Sequence, residues 1–140
     1  MTTIACDGVS IAADSLVTGG GFRCAERHEK LFVTPDGNYV GTTGFTDDGH
    51  AVRKWFETGC PDEKPDIDGS FEALVLTRDG TFYLSSKLVM TKYYDVMAIG
   101  SGGEIAIGAM LAGKKPHEAV AIAIGRDTRS GGPISMASLK

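Results

Sequence analysis

The chain has 140 residues, 42% of them apolar, with 19 glycines and a formal net charge of −4. That length reads as a single domain over residues 1–140 that can bury a core but must turn often. The acidic balance and the absence of a basic run argue against nucleic acid or a membrane surface as partners. The longest apolar stretches, around 105–112 and 119–124, are too short to span a bilayer.

The first residues carry neither a positive n-region nor an apolar h-region, so no signal peptide is expected. Cys6, Cys24 and Cys60 form an odd set without metal-ligand spacing, which reads as reduced thiols in a cytoplasmic protein. His28, His50 and His117 form no ligand cluster. Neither a metal nor another cofactor is expected.

In chain order, residues 3–6 read as a short strand, Asp7-Gly8 as a tight turn and residues 9–13 as the returning strand. Residues 18–22 hold three consecutive glycines and read as a loop. A strand is expected over 28–33, then a Pro35-Asp36-Gly37 turn in which Pro presets φ and Gly accepts positive φ, then a strand over 38–43. From Thr46 the period changes. Ala51, Val52, Trp55 and Phe56 lie at helical spacing, Asp47 and Asp48 suit the positive N-terminal end, and Gly59 stops the helix. Residues 60–69 are acidic, contain two prolines and read as an exposed loop. Residues 71–77 and 81–84 flank an Arg78-Asp79-Gly80 turn. Residues 96–99 form a buried strand that runs into Gly100-Ser101-Gly102-Gly103. Two helices follow, over 104–111 and 116–125, the second opening with Pro116 at a favourable position. Ser130-Gly131-Gly132 breaks the chain before a last strand over 134–139. This order is α+β with antiparallel hairpins: two sheets share an apolar interface and helices cover their outer faces.

The chemistry starts at Met1-Thr2-Thr3-Ile4. Removal of Met1, which the small side chain of Thr2 favours, places a hydroxyl and a free α-amine on one residue. That is a weak nucleophile with its own base, and the amine's ordinary pKa of about 7.7–8.0 leaves a useful neutral fraction near pH 7. Asp14 follows an apolar strand and Lys30 falls in the strand expected over 28–33. Gly44 lies between a strand and a helix. Each has an ordinary reading: a solvated strand end, a solvent-facing lysine, a chain reversal. Together they have a chemical one. A lysine oriented by an acid favours an alkoxide beside it, and a glycine amide near a helix N-terminus is a donor for a developing oxyanion.

These segments resemble the proteasome β-subunit and HslV-like family of N-terminal-nucleophile hydrolases. Thr2-Thr3-Ile4 is similar to the mature start of HslV-like chains, and Ala12-Ala13-Asp14-Ser15 to the family's small-small-Asp-Ser segment. The intervals from Asp14 to Lys30 and from Lys30 to Gly44 match the family's spacing. Gly100-Ser101-Gly102-Gly103 resembles its Gly-Ser-Gly-Gly turn, and Asp127-Thr128-Arg129-Ser130-Gly131-Gly132 its Asp-x-x-Ser-Gly-Gly segment.

The resemblance implies a four-layer αββα sandwich and a threonine-type peptidase that works through an acyl-ester on Thr2. It implies Asp14 and Lys30 as activators and the Gly44 amide as oxyanion donor. Ser101, Asp127 and Ser130 would orient the N-terminus; for the two serines an ordinary turn role remains the alternative. Val17, His28, Thr42 and Thr46 would line the substrate pocket, a mixed set that implies no sharp preference; each could equally be packing or strand-end residues. A homo-oligomeric ring or stacked rings, peptide or unfolded-protein substrates and an ATP-dependent unfoldase are the implied partners. A catalytically silent ring protein and a small-amide hydrolase are the alternatives. Two departures stand out: a short first hairpin, and only residues 59–70 where relatives place a second long helix. The departures put ring size, ring stacking and partner docking in doubt. No propeptide is expected.

Overall fold

The computed structural model describes residues 2–139. Their elements are β1 (Ile4–Cys6), β2 (Ser10–Ala13), β3 (Val17–Gly19), β4 (Phe22–Ala25), β5 (Leu31–Val33), β6 (Tyr39–Thr43), α1 (Thr46–Glu57), β7 (Glu72–Thr77), β8 (Gly80–Leu84), β9 (Met90–Tyr93), β10 (Met97–Ile99), α2 (Gly103–Leu111), α3 (Pro116–Ile124) and β11 (Ser135–Ser138). One sheet has the order β10-β1-β2-β11 and a second the order β5-β6-β7-β8-β9, while β3 and β4 form a separate two-stranded ribbon. All the pairings are antiparallel.

Side-chain alternation along the strands builds four layers. Ile4, Cys6, Ile11, Ala13 and Ile99 of the first sheet face inward onto Leu31, Leu74 and Leu76 of the second. The alternate residues Ala5, Ala12 and Ala98 face outward onto Ala106, Met110, Ala119, Val120 and Ala123 of α2 and α3. Ala5 pairs with both Ala12 and Ala98, so a row of methyl groups runs across three strands and lets the two helices lie close. On the far side, Phe32, Val40, Ala73, Val75 and Leu84 of the second sheet pack on Val52, Trp55 and Phe56 of α1. The order is helix pair, sheet, sheet, single helix: the αββα sandwich expected.

Local chemistry sets the turns and ends. Asp7 Oδ1 accepts hydrogen bonds from the Val9 and Ser10 amides at 2.9 and 2.8 Å, closing the first hairpin with its own side chain. Helix α1 has Asp47 and Asp48 in its first turn, where the dipole favours them. It ends in a Schellman arrangement, with the Gly59 amide on the Phe56 carbonyl and the Cys60 amide on the Trp55 carbonyl.

Two expectations need correction. Residues 18–22 are not an open loop: the glycines form the crown of the β3–β4 ribbon, with Gly20 and Gly21 in the left-handed region. The strand expected over 28–33 contracts to Leu31–Val33, so Lys30 precedes it rather than lying within it. Residues 28–30 instead anchor at two points, the His28 amide on the Ser15 carbonyl and the Lys30 carbonyl on the Thr42 amide. The sequence also concealed β9, whose residues are all exposed and lack the alternation that marks a strand. Residues 60–70 contain no second helix.

Gly41 sits where the two sheets meet: a Cβ there would come within 2.8 Å of Ile4 and 2.9 Å of Leu31. Gly108, in α2, has open space at the same position. Gly41→Val is expected to cost about 1–3 kcal/mol by overpacking and to lower Tm by several degrees. Gly108→Ala is expected to leave Tm unchanged or raise it, since Ala is the better helix former by about 1 kcal/mol. Thermal unfolding of the two variants side by side checks both.

Candidate active site

The site is built at the start of β1, where three chain segments meet under a lysine. Lys30 Nζ donates to Thr2 Oγ1 at 2.9 Å, to Asp14 Oδ1 at 2.9 Å and to the Leu16 carbonyl at 2.7 Å. Asp14 is fully buried, Lys30 is 5% exposed and Thr2 3%. A carboxylate in that environment needs more than one partner. Asp14 has them: Oδ1 also accepts from the Thr3 amide at 3.0 Å, and Oδ2 accepts from the Gly131 amide at 3.0 Å and the Leu16 amide at 3.3 Å. The acid thus ties the β1 start, the segment after β2 and the Gly131 turn to one lysine.

Burial lowers the Lys30 pKa from its ordinary value, and the Asp14 charge and hydrogen bond only partly oppose that shift. The ammonium is therefore a readier proton donor than a surface lysine, held 2.9 Å from a hydroxyl.

A second group clasps the same chain start. Thr3 Oγ1 and Ser130 Oγ are 2.7 Å apart, Ser101 Oγ donates to Asp127 Oδ2 at 2.6 Å, and Ser130 Oγ donates to the same oxygen. The Thr2 carbonyl accepts long contacts from the Gly102 amide at 3.4 Å and Ser101 Oγ at 3.5 Å. Burial works to raise the Asp127 carboxyl, but the bonds from Ser101, Ser130 and the Arg129 amide outweigh it and hold the pKa below the usual range. Gly100 completes the clasp: its φ is +92°, and a Cβ there would collide with the Thr2 carbonyl.

A cleft of roughly 620 Å³ opens beside Thr2 and Lys30. Val17, His28, Thr42 and Thr46 all line it, as does Gly44. Gly44 has φ +115°, and a Cβ would approach the Phe71 backbone to 3.1 Å, so both backbone conformation and space require glycine between β6 and α1.

The structure thus gathers Thr2, Asp14 and Lys30 around one ammonium, and Ser101, Asp127 and Ser130 around one carboxylate. Sequence reasoning missed Thr3, the Leu16 carbonyl, Gly131 and the α1 residues Gly49, His50 and Arg53 in the cleft wall. The α1 signal was available: Thr46, Gly49 or His50, and Arg53 recur at helical spacing opposite Val52, Trp55 and Phe56. The hydrogen bonds of Thr3 and of the Leu16 carbonyl leave no such trace in a sequence. The expected removal of Met1 lies outside the described residues. Among the described residues no group of His, Cys, Asp and Glu could hold a metal ion, and no helix is long and apolar enough to cross a membrane.

No protein-family model matches the chain, and no curated protein does. Solved structures do. Thiobacillus denitrificans BPH superposes with a TM-score of 0.82 at 22% identity, over 99% of this chain and 98% of that one. The same protein in complex with Epoxomicin gives 0.78 at 22% identity, over 100% and 98%. Eukaryotic HslV from Trypanosoma brucei gives 0.79 at 21% identity, over 99% of each chain. From its first strand to its last, this chain has the fold of HslV and of Thiobacillus denitrificans BPH.

Proposed function

We propose that this chain is a threonine-type peptidase that cleaves peptide bonds through an acyl-ester on Thr2. The observation that carries the reading is the buried Lys30 ammonium, in hydrogen-bond contact with both Thr2 Oγ1 and Asp14 at 2.9 Å. In this reading Met1 is removed and the freed α-amine of Thr2 takes the hydroxyl proton, directly or through a water. Lys30 stabilises the negative charge that develops on Oγ1. Asp14 keeps the lysine charged and aimed. The attacked carbonyl oxygen becomes an oxyanion that the Gly44 amide receives. Collapse expels the amine leaving group, protonated by the conjugate acid formed in the first step. Water, activated by the same amine, then cleaves the ester and restores Thr2. Ser101, Asp127 and Ser130 position the chain start through the Thr2 carbonyl and Thr3. The complex of Thiobacillus denitrificans BPH, a protein of this fold, with Epoxomicin supports reading the cleft as a ligand site.

The reading includes a homo-oligomeric ring in which Thr2 faces an enclosed chamber, fed by an ATP-dependent unfoldase. The exposed apolar residues Phe22, Tyr94, Leu111 and Met136 supply surface for contacts between copies. Free thiols at Cys6, Cys24 and Cys60 agree with a cytoplasmic setting.

Incubation with a peptide vinyl sulfone, followed by intact-mass and peptide mapping, is expected to place one adduct on Thr2. Protein shown to begin at Thr2 that takes up no adduct would sink the peptidase reading. Thr2→Ala is expected to abolish both adduct and hydrolysis of fluorogenic peptides.

Lys30→Met is expected to lower kcat by about 10²–10³-fold, the range seen when one aimed charge-stabilising donor is lost. It also strands Asp14 without its cation, at a cost of about 3–5 kcal/mol. Steady-state kinetics run well below the variant's Tm, with that Tm taken from a separate thermal unfolding scan, separate the two effects.

A further inference from the structure

The wall of the cleft opposite Thr2 is rich in polar groups that can donate or take up protons. The His28 and His50 rings meet edge to face with centroids 6.1 Å apart, one from the segment before β5 and one from α1. Beside them stand the hydroxyls of Thr42 and Thr46 and the guanidinium of Arg53. Arg53 lies over the Phe32 ring at 5.4 Å and bonds Glu29 at 3.1 Å and Glu57 at 3.2 Å, which leaves further N–H donors on the same planar group. Both of its ion pairs are half-exposed and hold it only weakly in place.

Charged groups reach the histidine pair from several elements: His28 shares a second hollow with Arg23 and Glu26, which pair with each other, and with Arg27. From the segment before β5 come Glu29 and Lys30, the latter matched by Asp14. From α1 comes Arg53, matched by Glu29 and Glu57. The β3 and β6 walls contribute Val17, Thr18 and Thr42, without charge. Lys30 and Asp14 cancel, while Glu29 and Glu57 outnumber Arg53 by one negative charge, so protonation of both imidazoles is what turns the cleft positive.

We infer that, resting on the peptidase reading, the His28–His50 pair makes the cleft select substrates with an acidic side chain at the residue whose carbonyl Thr2 attacks, and more strongly as pH falls. That side chain must enter the cleft, because the cleft opens directly at Thr2 and Gly44. A carboxylate there accepts from Thr42, Thr46 and Arg53 and draws a proton onto the imidazole pair. Burial, and after it the Lys30 charge and His50, lower the pKa of His28, so this imidazole holds a proton less readily until an anion stands beside it. Binding of an acidic residue is then coupled to proton uptake. A glutamine of the same shape gains no such coupling, and a leucine leaves the hydroxyls and imidazoles without partners.

The test uses Thr2→Ala protein and acetylated, C-terminally amidated peptides that differ only in a last residue of Glu, Gln or Leu. Their affinities and the histidine ring resonances are followed by NMR from pH 8 to pH 6. Because nothing is turned over, the ratio of Glu to Gln affinity is free of the pH dependence of catalysis, and the His50→Asn form, which keeps the same chain-start amine with its ordinary pKa of about 7.7–8.0, reads out that amine's share. The expected result is a ratio that rises about tenfold from pH 8 to pH 6, the scale of one charge–charge contact at a partly exposed site. The His28 and His50 titrations should move upward only with the Glu peptide, and His50→Asn should flatten the ratio. A Glu to Gln ratio that does not change with pH, whether near one or set by Arg53 alone, or a preference for Leu throughout, overturns the inference and leaves the peptidase reading standing. Absence of binding by all three removes both.

Discussion

Everything around Thr2 depends on one buried ion pair. Lys30 and Asp14 lie 2.9 Å apart with almost no exposure, in surroundings where either charge alone would be costly. The cost is contained by the other bonds: three backbone amides on Asp14, and the Leu16 carbonyl and Thr2 hydroxyl on Lys30. The partners of Asp14 come from the beginning, the first hairpin and the end of the chain. The pair therefore fixes chain start, cleft floor and C-terminal turn relative to one another, and the sandwich supplies the dry walls that keep it intact.

The two sheets divide the labour. Sheet β10-β1-β2-β11 presents its alanine row to α2 and α3 and its larger residues to the second sheet, which makes β1 a rigid mount for Thr2. Sheet β5-β6-β7-β8-β9 carries Lys30 just before its edge strand and Gly44 just after β6, so ammonium and glycine amide reach the cleft from one scaffold. The Asp127 cluster serves the first sheet, since its serines hold the Thr2 carbonyl and Thr3 rather than the cleft.

The layers and most elements were legible because alternation and helical period report burial directly. Ala5, Ala12 and Ala98 against Ile4, Ile11 and Ile99 is a pattern with one sensible folding. Lys30 was legible as a candidate residue but not in its local structure: the residues around it are pinned by bonds to Ser15 and Thr42, which a single sequence does not encode by spacing. The β3–β4 ribbon was hidden because Gly19, Gly20 and Gly21 read as a loop, although they are the turn of a hairpin with no core to face. Strand β9 was hidden for the same reason, its residues being exposed on both faces. In the site, motif residues could be read and their tertiary partners could not. Thr3 and the Leu16 carbonyl enter only through contacts between segments distant in sequence.

Helix α1 packs alone on its side of the sandwich, and it presents two faces with different work. Val52, Trp55 and Phe56 hold it to the sheet, while Thr46, Gly49, His50 and Arg53 shape the cleft. Residues 60–70 add no second helix to brace it. A core change such as Phe56→Leu would therefore tilt the same rod that carries the cleft wall. Substitutions accepted for their effect on stability would reshape the cleft without touching it, so the two properties are bound to drift together.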